Sequence, residues 1–407
     1  MKILHVIAQL PSRTGSGVYF CNLIEGLKPH GHQQAALFAV QDGFTFDLLP
    51  RRFQYPVEFK SEHQIPFPIV GMSDVMPYES SVYSEMSEQM IARWRKEFLL
   101  MLTFAKAEFS PDILILHHLW MLTSTAAEVF PDEIKIGVCH NTDIRQARQH
   151  PDLKEMYTGN LPMLKAVLTL SDSQKAKIAD TYGFSQDMLY TTGGGFNQEV
   201  FYPPVKKAEY DKVRLVYAAK IEQSKGIFEL IKAFRNISQT HPNLHLDIIG
   251  TPIGDNELHL KSLIGDADNI AIIPTTCQKT LSNYIRERDI FVMPSYFEGL
   301  GLMAIECLAC GLRVVSTEIE ALIELLGDKV NGSGVIEYVK LPRIYDTDKP
   351  FEEDLPQFIN DLSEKLLIQI ERVENAEPIP DYVLPEIDKH SWSNIASRIN
   401  DTIHTFF

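Results

Sequence analysis

Seven residues stand between Glu298 and Glu306 in the stretch SYFEGLGLMAIECLACG, and the second glutamate lies inside an apolar run. Burying a carboxylate without partners costs several kcal/mol, so this placement calls for a ligand that brings hydroxyl groups. The preceding IFVM reads as a strand ending near Pro294, Glu298 to Gly301 as a turn, and Leu302 to about Cys310 as a helix closed by Gly311. Gly299 and Gly301 permit close backbone approach, and the amides of Gly299, Leu300, Gly301 and Leu302 at the helix start form an anion site. A side chain at position 306 leans back toward that start, so the two carboxylates flank a phosphate position. Sugar, diphosphate and ribose follow one another in that order in a nucleotide sugar.

Upstream, LVYAAKIEQSKGIFELIKAF runs from a strand into a helix, with Lys220 at the strand end and Lys225 just before Gly226. Two cations across such a turn can converge on a diphosphate and stabilise the charge it develops as it leaves. QLPSRTGSGVYF is a second strand, glycine turn and helix, but Gly15 and Gly17 lack the third glycine of a dinucleotide fingerprint. IKIGVCHNTDIRQ ends a strand at His140, and the Asp143 and Arg145 that follow either pair with each other or meet an acceptor. His117 and His118 are neighbours on a strand and so point to opposite faces, which favours packing over chelation of one ion. Cys307 and Cys310 match C-x-x-C but fall inside the helix with no second pair, and are read as packing.

Short Ile, Val and Leu runs recur along the chain that carries these residues: ILHVIA, AALFAV, ILILHH, IKIGVC, AVLTLS, VRLVYAA, LHLDIIG, IAIIP, IFVMPS and RVVST. They do not alternate strictly, as suits parallel strands covered on both faces. Amphipathic segments such as GIFELIKAFRNISQ separate them, so the class is α/β and doubly wound. The double proline and charges of residues 197–212 divide two strand series. The expected organisation is an N-terminal Rossmann-like domain over 1–200, a linker over 201–212, a second Rossmann-like domain over 213–388, and a helix over 389–407. Residues 41–85, rich in aromatics and proline, read as a long, partly hairpin-like excursion that either elaborates the surface or binds an acceptor. Residues 340–358 read as an acidic loop before a late helix.

The 407 residues carry a formal net charge of −16, with 17 basic against 22 acidic residues in the first 200 and 21 against 32 in the rest. Neither half has the basic balance of a nucleic-acid binder. Five cysteines, an odd number, argue against a disulfide framework and for a reducing compartment. The opening MKILHVIAQL reads as a strand, not a signal peptide, and no apolar run approaches the roughly 20 residues of a membrane span. A cytoplasmic location is expected. The DAD at 266–268 and DTD at 346–348 are read as chance triplets, with no essential metal.

The paired glutamates in their strand, glycine turn and helix resemble the signature of retaining glycosyltransferases of family four, on the GT-B fold, and the similarity continues along most of the chain. That resemblance implies two Rossmann-like domains facing across a cleft, with the last helix crossing back to the first domain and domain closure completing the site. It implies that Glu298 contacts the transferred sugar and Glu306 the ribose hydroxyls. The amides of Gly299 to Leu302 would face the donor, with Lys220 and Lys225 on the diphosphate and His140 beside the reaction centre. Gly15, Ser16 and Gly17 would lie against donor phosphates and acceptor. At 220 such families usually carry arginine; lysine keeps the charge and loses the bidentate fork. The expected reaction moves a sugar from a nucleotide sugar, a UDP-sugar for preference, to an acceptor hydroxyl with retention of configuration and no cofactor. A soluble small molecule or glycan is preferred to a lipid as acceptor. The alternatives are a nucleotide-sugar 2-epimerase on the same fold and a non-catalytic GT-B-like subunit.

Overall fold

The structure is a computed structural model that describes residues 1–12, 14–73, 76–205, 211–252, 254–274, 277–346 and 348–407. Residues 206–210 of the expected linker and Thr347 of the DTD triplet therefore lie outside the described residues. The chain divides into two compact units, Met1–Gly194 with Ile395–Phe407, and Gly195–Asn394. Residues 195–201 go with the second unit for a packing reason. Phe196 and Phe201 are buried in its core, and the amide of Phe196 donates to the carbonyl of His390 at 3.2 Å.

In the N-terminal unit the strands are β1 (Lys2–Ile7), β2 (Gln33–Val40), β3 (Gln54–Glu58), β4 (Val70–Gly71), β5 (Ser81–Val82), β6 (Ile113–His117), β7 (Ile134–Val138), β8 (Ala166–Thr169) and β9 (Leu189–Thr191). Seven of them form one sheet in the order β3-β2-β1-β6-β7-β8-β9, every pair parallel. The strand order reverses between β1 and β6. In a doubly wound sheet this is where a ligand crevice opens beyond the carboxyl ends of the strands.

The stretch 41–85 is more than a surface excursion. It supplies β3, which extends the sheet in parallel register with β2, and its Tyr55, Phe59, Ile65 and Tyr83 sink into the core. The local pairings that it forms among the described residues, β4 with β5 and the bridge of Phe59 with Ile65, are both parallel, so neither is a hairpin. The last helix, Trp392–His404, belongs to this unit from Ile395 onward. Ile395, Ile399 and Ile403 recur every fourth residue and are all fully buried, the stripe expected of a helix laid on a core. Asn400 and Arg398 fix its register through His32 at 2.7 Å and the carbonyl of Thr192 at 3.1 Å.

In the C-terminal unit the strands are β10 (Val213–Ala218), β11 (Leu244–Ile249), β12 (Ile270–Ile273), β13 (Ile290–Met293), β14 (Arg313–Thr317), β15 (Ile336–Val339), β16 (Ile344–Tyr345) and β17 (Lys349–Pro350). The main sheet runs β12-β11-β10-β13-β14-β15, again parallel throughout. Its reversal falls between β10 and β13, which are the strands that lead to Lys220 and to Glu298. Within the acidic 340–358 segment, β16 and β17 make a small antiparallel pair, and Arg343 bonds Glu353 and Asp354 at 2.8 Å each.

The two loops at this reversal touch at one crowded point. Gly226 has φ +65°, and a Cβ there would lie 2.1 Å from the carbonyl oxygen of Pro294. Only glycine fits both the left-handed backbone and the contact. By contrast a Cβ at Gly299 would meet nothing within 4 Å. Gly226→Ala is therefore expected to lower stability by about 2 kcal/mol or more, and Gly299→Ala by no more than about 0.5 kcal/mol, as read by urea unfolding midpoints.

Candidate active site

The C-terminal switch point holds most of the residues singled out in the sequence. Beyond β13 the chain passes through Ser295 to Gly301, and Gly301, at φ +76°, caps the helix Leu302–Ala309. The first amides of that helix have no carbonyl four residues back to bond, so they are open to an anion. Leu300 contributes only its backbone, because its side chain is buried in the core.

Lys225 leaves a short 3-10 turn, Gln223–Lys225, and its ammonium lies 2.9 Å from Glu298 Oε1 and 3.2 Å from the carbonyl of Phe297. Both side chains of the pair are about four-fifths buried, at 20% and 23% exposure. The cation assigned to a diphosphate and the carboxylate assigned to a sugar thus hold each other. Lys220 does not join them. Its side chain is exposed, and its backbone carbonyl accepts the Tyr217 hydroxyl at 2.6 Å.

Glu306 is half-buried one turn into the helix, and no described residue bonds its carboxyl. Burial alone pushes its pKa from 4.5 to about 8. Around it Cys307 and Cys310 are buried and their thiols shifted upward, Cys310 to about 12, by the same loss of solvent. These two cysteines pack, as expected. Glu306 is an acceptor of hydrogen bonds that has no donor among the described residues.

In the N-terminal unit a cluster of rings gathers at the carboxyl ends of β6 and β7. His140 Nε2 and His117 Nδ1 share a hydrogen bond of 3.1 Å, with the rings stacked 5.3 Å apart. His118 also reaches His140, at 4.7 Å between centroids, and Tyr19 meets it edge-on at 5.2 Å. The strand alternation that set His117 and His118 on opposite faces ends at His117; His118 has φ +71°, which swings its ring to the same neighbour. Among the described residues no group of three His, Cys, Asp or Glu side chains is placed to hold a metal ion.

Burial and mutual repulsion hold His117 and His140 well below the usual histidine range, and burial brings His118 and His5 to about 4. Asp143 is structural on the evidence of its bonds. Its Oδ2 accepts from the amides of Leu119 at 2.9 Å and His140 at 3.3 Å, which pins the loop carrying His140. In the glycine turn, Ser16 donates to Gln9 Oε1 at 2.9 Å. A Cβ at Gly17 would sit 2.7 Å from the amide nitrogen of Ser12, so Gly17 is required by packing of the turn. Gly15 has open space around it.

Two side chains that sequence reasoning passed over stand behind these groups. Tyr19 meets His140 edge-on and shares a 3.3 Å bond with Thr192. Glu229, an acid in the middle of the apolar IFELI run, is 1% exposed and accepts from Tyr296. The signal for Glu229 was the same as for Glu306, a carboxylate where the helix pattern calls for an apolar residue.

With this geometry described, the chain can be set beside known proteins. Residues 201–340 match the family Glycosyl transferases group 1. The D-inositol 3-phosphate glycosyltransferase of Pseudarthrobacter chlorophenolicus is 32% identical over 164 residues, which cover 37% of this chain and 39% of that protein. The chain thus spans about two-fifths of that curated relative. Among solved structures, the sucrose-phosphate synthase of Thermosynechococcus elongatus superposes with a TM-score of 0.71 at 15% identity, covering 100% of this chain and 99% of that one. Anabaena HepE in complex with UDP and glucose gives 0.63 at 12% identity, covering 99% of each. At such identities the likeness is one of fold, and the fold is GT-B.

The titrations carry opposite signs in the two units. An unfolded Glu306 ionises near pH 4.5 and the folded one near 8, so its contribution to stability is lost as pH rises through that window, by up to about 1.4 kcal/mol per unit. Glu306→Gln should match the parent protein at pH 4 and exceed it in urea midpoint at pH 8. His5 and His118 stay neutral when folded down to about pH 4, whereas unfolded histidines protonate near 6.5. The N-terminal unit should therefore lose stability as pH falls from 6.5 to 4. The same urea series at pH 7, 5.5 and 4.5 should show a smaller loss for His118→Phe.

Proposed function

We propose that this GT-B protein, whose residues 201–340 are a group 1 glycosyltransferase domain, transfers a sugar from a nucleotide-sugar donor, a UDP-sugar for preference, to an acceptor hydroxyl with retention of configuration. The observation that carries the proposal is Glu306, a half-buried carboxyl with no donor among the described residues, at a phosphate-ready helix start. Two vicinal ribose hydroxyls supply what it lacks, and their bonds favour its ionised form. The fold shared with HepE, solved with UDP and glucose, supports the same reading.

In this reading the diphosphate lies on the amides of Gly299, Leu300, Gly301 and Leu302. Its arrival draws the Lys225 ammonium from Glu298, which frees that carboxylate for a sugar hydroxyl, and Lys220 adds an exposed charge. The C1–O bond to the diphosphate breaks as the acceptor oxygen bonds C1 on the same face. The acceptor proton passes to the departing phosphate oxygen. Lys225 and the helix amides stabilise the charge that develops there, so the proposal draws on no metal. From the N-terminal unit we assign His140 to the sugar and the turn Gly15, Ser16 and Gly17 to phosphate or acceptor. The neutral state of His140 suits a hydrogen-bonding role rather than an electrostatic one. A glycan or other soluble hydroxyl compound is the proposed acceptor, in the cytoplasm. Among the described residues no helix is long and apolar enough to cross a membrane.

A panel of UDP-, GDP- and ADP-sugars assayed for nucleotide release tests this. One donor class should turn over, and activity should survive EDTA. Lys225→Ala should lower kcat by about 10²- to 10³-fold, and Glu306→Ala should act chiefly on donor KM. Recovery of the donor as its 2-epimer, with no acceptor needed, would replace transfer by epimerisation. If no donor turned over or bound, the chain would be a non-catalytic GT-B subunit.

A further inference from the structure

The Lys225–Glu298 pair joins two loops that are 73 residues apart in sequence, and its geometry depends on how those loops are held. Three ties hold them within a few residues of the pair. Gly226 rests on the carbonyl of Pro294. The amide of Tyr296 donates to the carbonyl of Ser224 at 2.9 Å. The third tie is made of side chains and is buried. Glu229 Oε2 accepts the Tyr296 hydroxyl at 2.8 Å, and both Glu229 oxygens face the Gln223 amide nitrogen, at 3.3 and 3.4 Å.

Gln223 opens the turn that ends in Lys225, and Tyr296 stands two residues before Glu298. Glu229 is therefore bonded to both loops at once, from the first turn of the helix Ile227–Ser238. Lys232, 3.6 Å from Oε1, supplies the neighbouring positive charge. The tyrosine hydroxyl, itself pushed above its usual range by burial and by the carboxylate, stays a donor. A carboxylate 1% exposed would be costly if it did nothing but fill space.

We propose that Glu229, through Tyr296 and Gln223, is a positioning residue that sets the separation of Lys225 and Glu298 before substrate binds. The inference rests on the transferase reading for its kinetic consequence, but the positioning itself can be read without turnover. Neither Glu229 nor Tyr296 is assigned a contact with substrate. Their effect is on where Lys225 and Glu298 stand, and a displacement of about 1 Å at a reacting group can cost up to about a hundredfold in rate.

The test uses the full chain with Tyr296→Phe, which keeps the ring, and Glu229→Gln, which keeps the shape but sets an amide against Gln223. Each should lower kcat about tenfold or more while donor KM changes less than about threefold. The double variant should be no worse than the more impaired single one, because both break the same node. In a Lys225→Ala background, Tyr296→Phe should cost less than it does in the parent protein, since one of the two groups it positions is gone. Unchanged kcat, or losses that multiply in that background, would overturn the proposal.

A readout independent of activity separates this from the functional reading. In protein reductively methylated with ¹³C, the Lys225 resonance, identified by its absence in Lys225→Arg, should shift in Tyr296→Phe. A Tyr55→Phe control, in the other unit, should leave it in place. If no donor turned over yet the Lys225 resonance moved, the transferase reading would fall and the positioning role would stand. If the resonance stayed put in a folded Tyr296→Phe, the positioning role would fall.

Discussion

The carbonyl of Pro294 occupies the space that a side chain at residue 226 would need, and the C-terminal unit is arranged around that contact. It brings the end of β13 against the turn that follows β10, at the place where the strand order of the sheet reverses. Two loops of different origin then share a few ångströms of backbone. That closeness is what lets a lysine from one meet a glutamate from the other. Without a glycine at 226 the loops part, and the ion pair, the Tyr296 bond to Ser224 and the buried Glu229 node lose their common footing.

The site is built at a cost to stability. Glu306 carries a carboxyl that its surroundings drive toward the neutral form, and no described residue donates to it. The Lys225–Glu298 pair does the opposite, keeping two charges satisfied until something displaces them. One acid has no donor among the described residues, and the other has Lys225. In a protein of net charge −16, local positive potential must come from few sources, and in the proposed reading these are helix amides, Lys220 and a Lys225 released from its pair. The N-terminal unit solves a different problem. Its histidines crowd together because they are neutral, and they are neutral because they are buried.

Much of this was legible in the residues. The ten Ile, Val and Leu runs are strands, and the reading of strand, glycine turn and helix around Glu298 matches β13, Gly301 and Leu302–Ala309. What escaped had physical causes. β3 contains Pro56 and lies at the sheet edge, where a missing amide costs little, so its sequence does not read as strand and the aromatics around it read as surface. β9 has only three residues. His118 adopts a positive φ that non-glycine residues rarely take, so no alternation rule could foresee its convergence on His140. The partner of Glu229 is 67 residues away, and only the fold brings Tyr296 to it.

In the proposed reading, Glu306 and the helix start beside it bind the ribose and diphosphate of a nucleotide. The most direct measurement is a crystal structure of the protein with UDP. Ribose hydroxyls should lie within hydrogen-bond distance of both Glu306 oxygens, diphosphate oxygens on the amides of Gly299 to Leu302, and Lys225 should turn from Glu298 to phosphate. A nucleotide bound elsewhere, or bound here with Glu306 untouched and the Lys225–Glu298 pair intact, would contradict it.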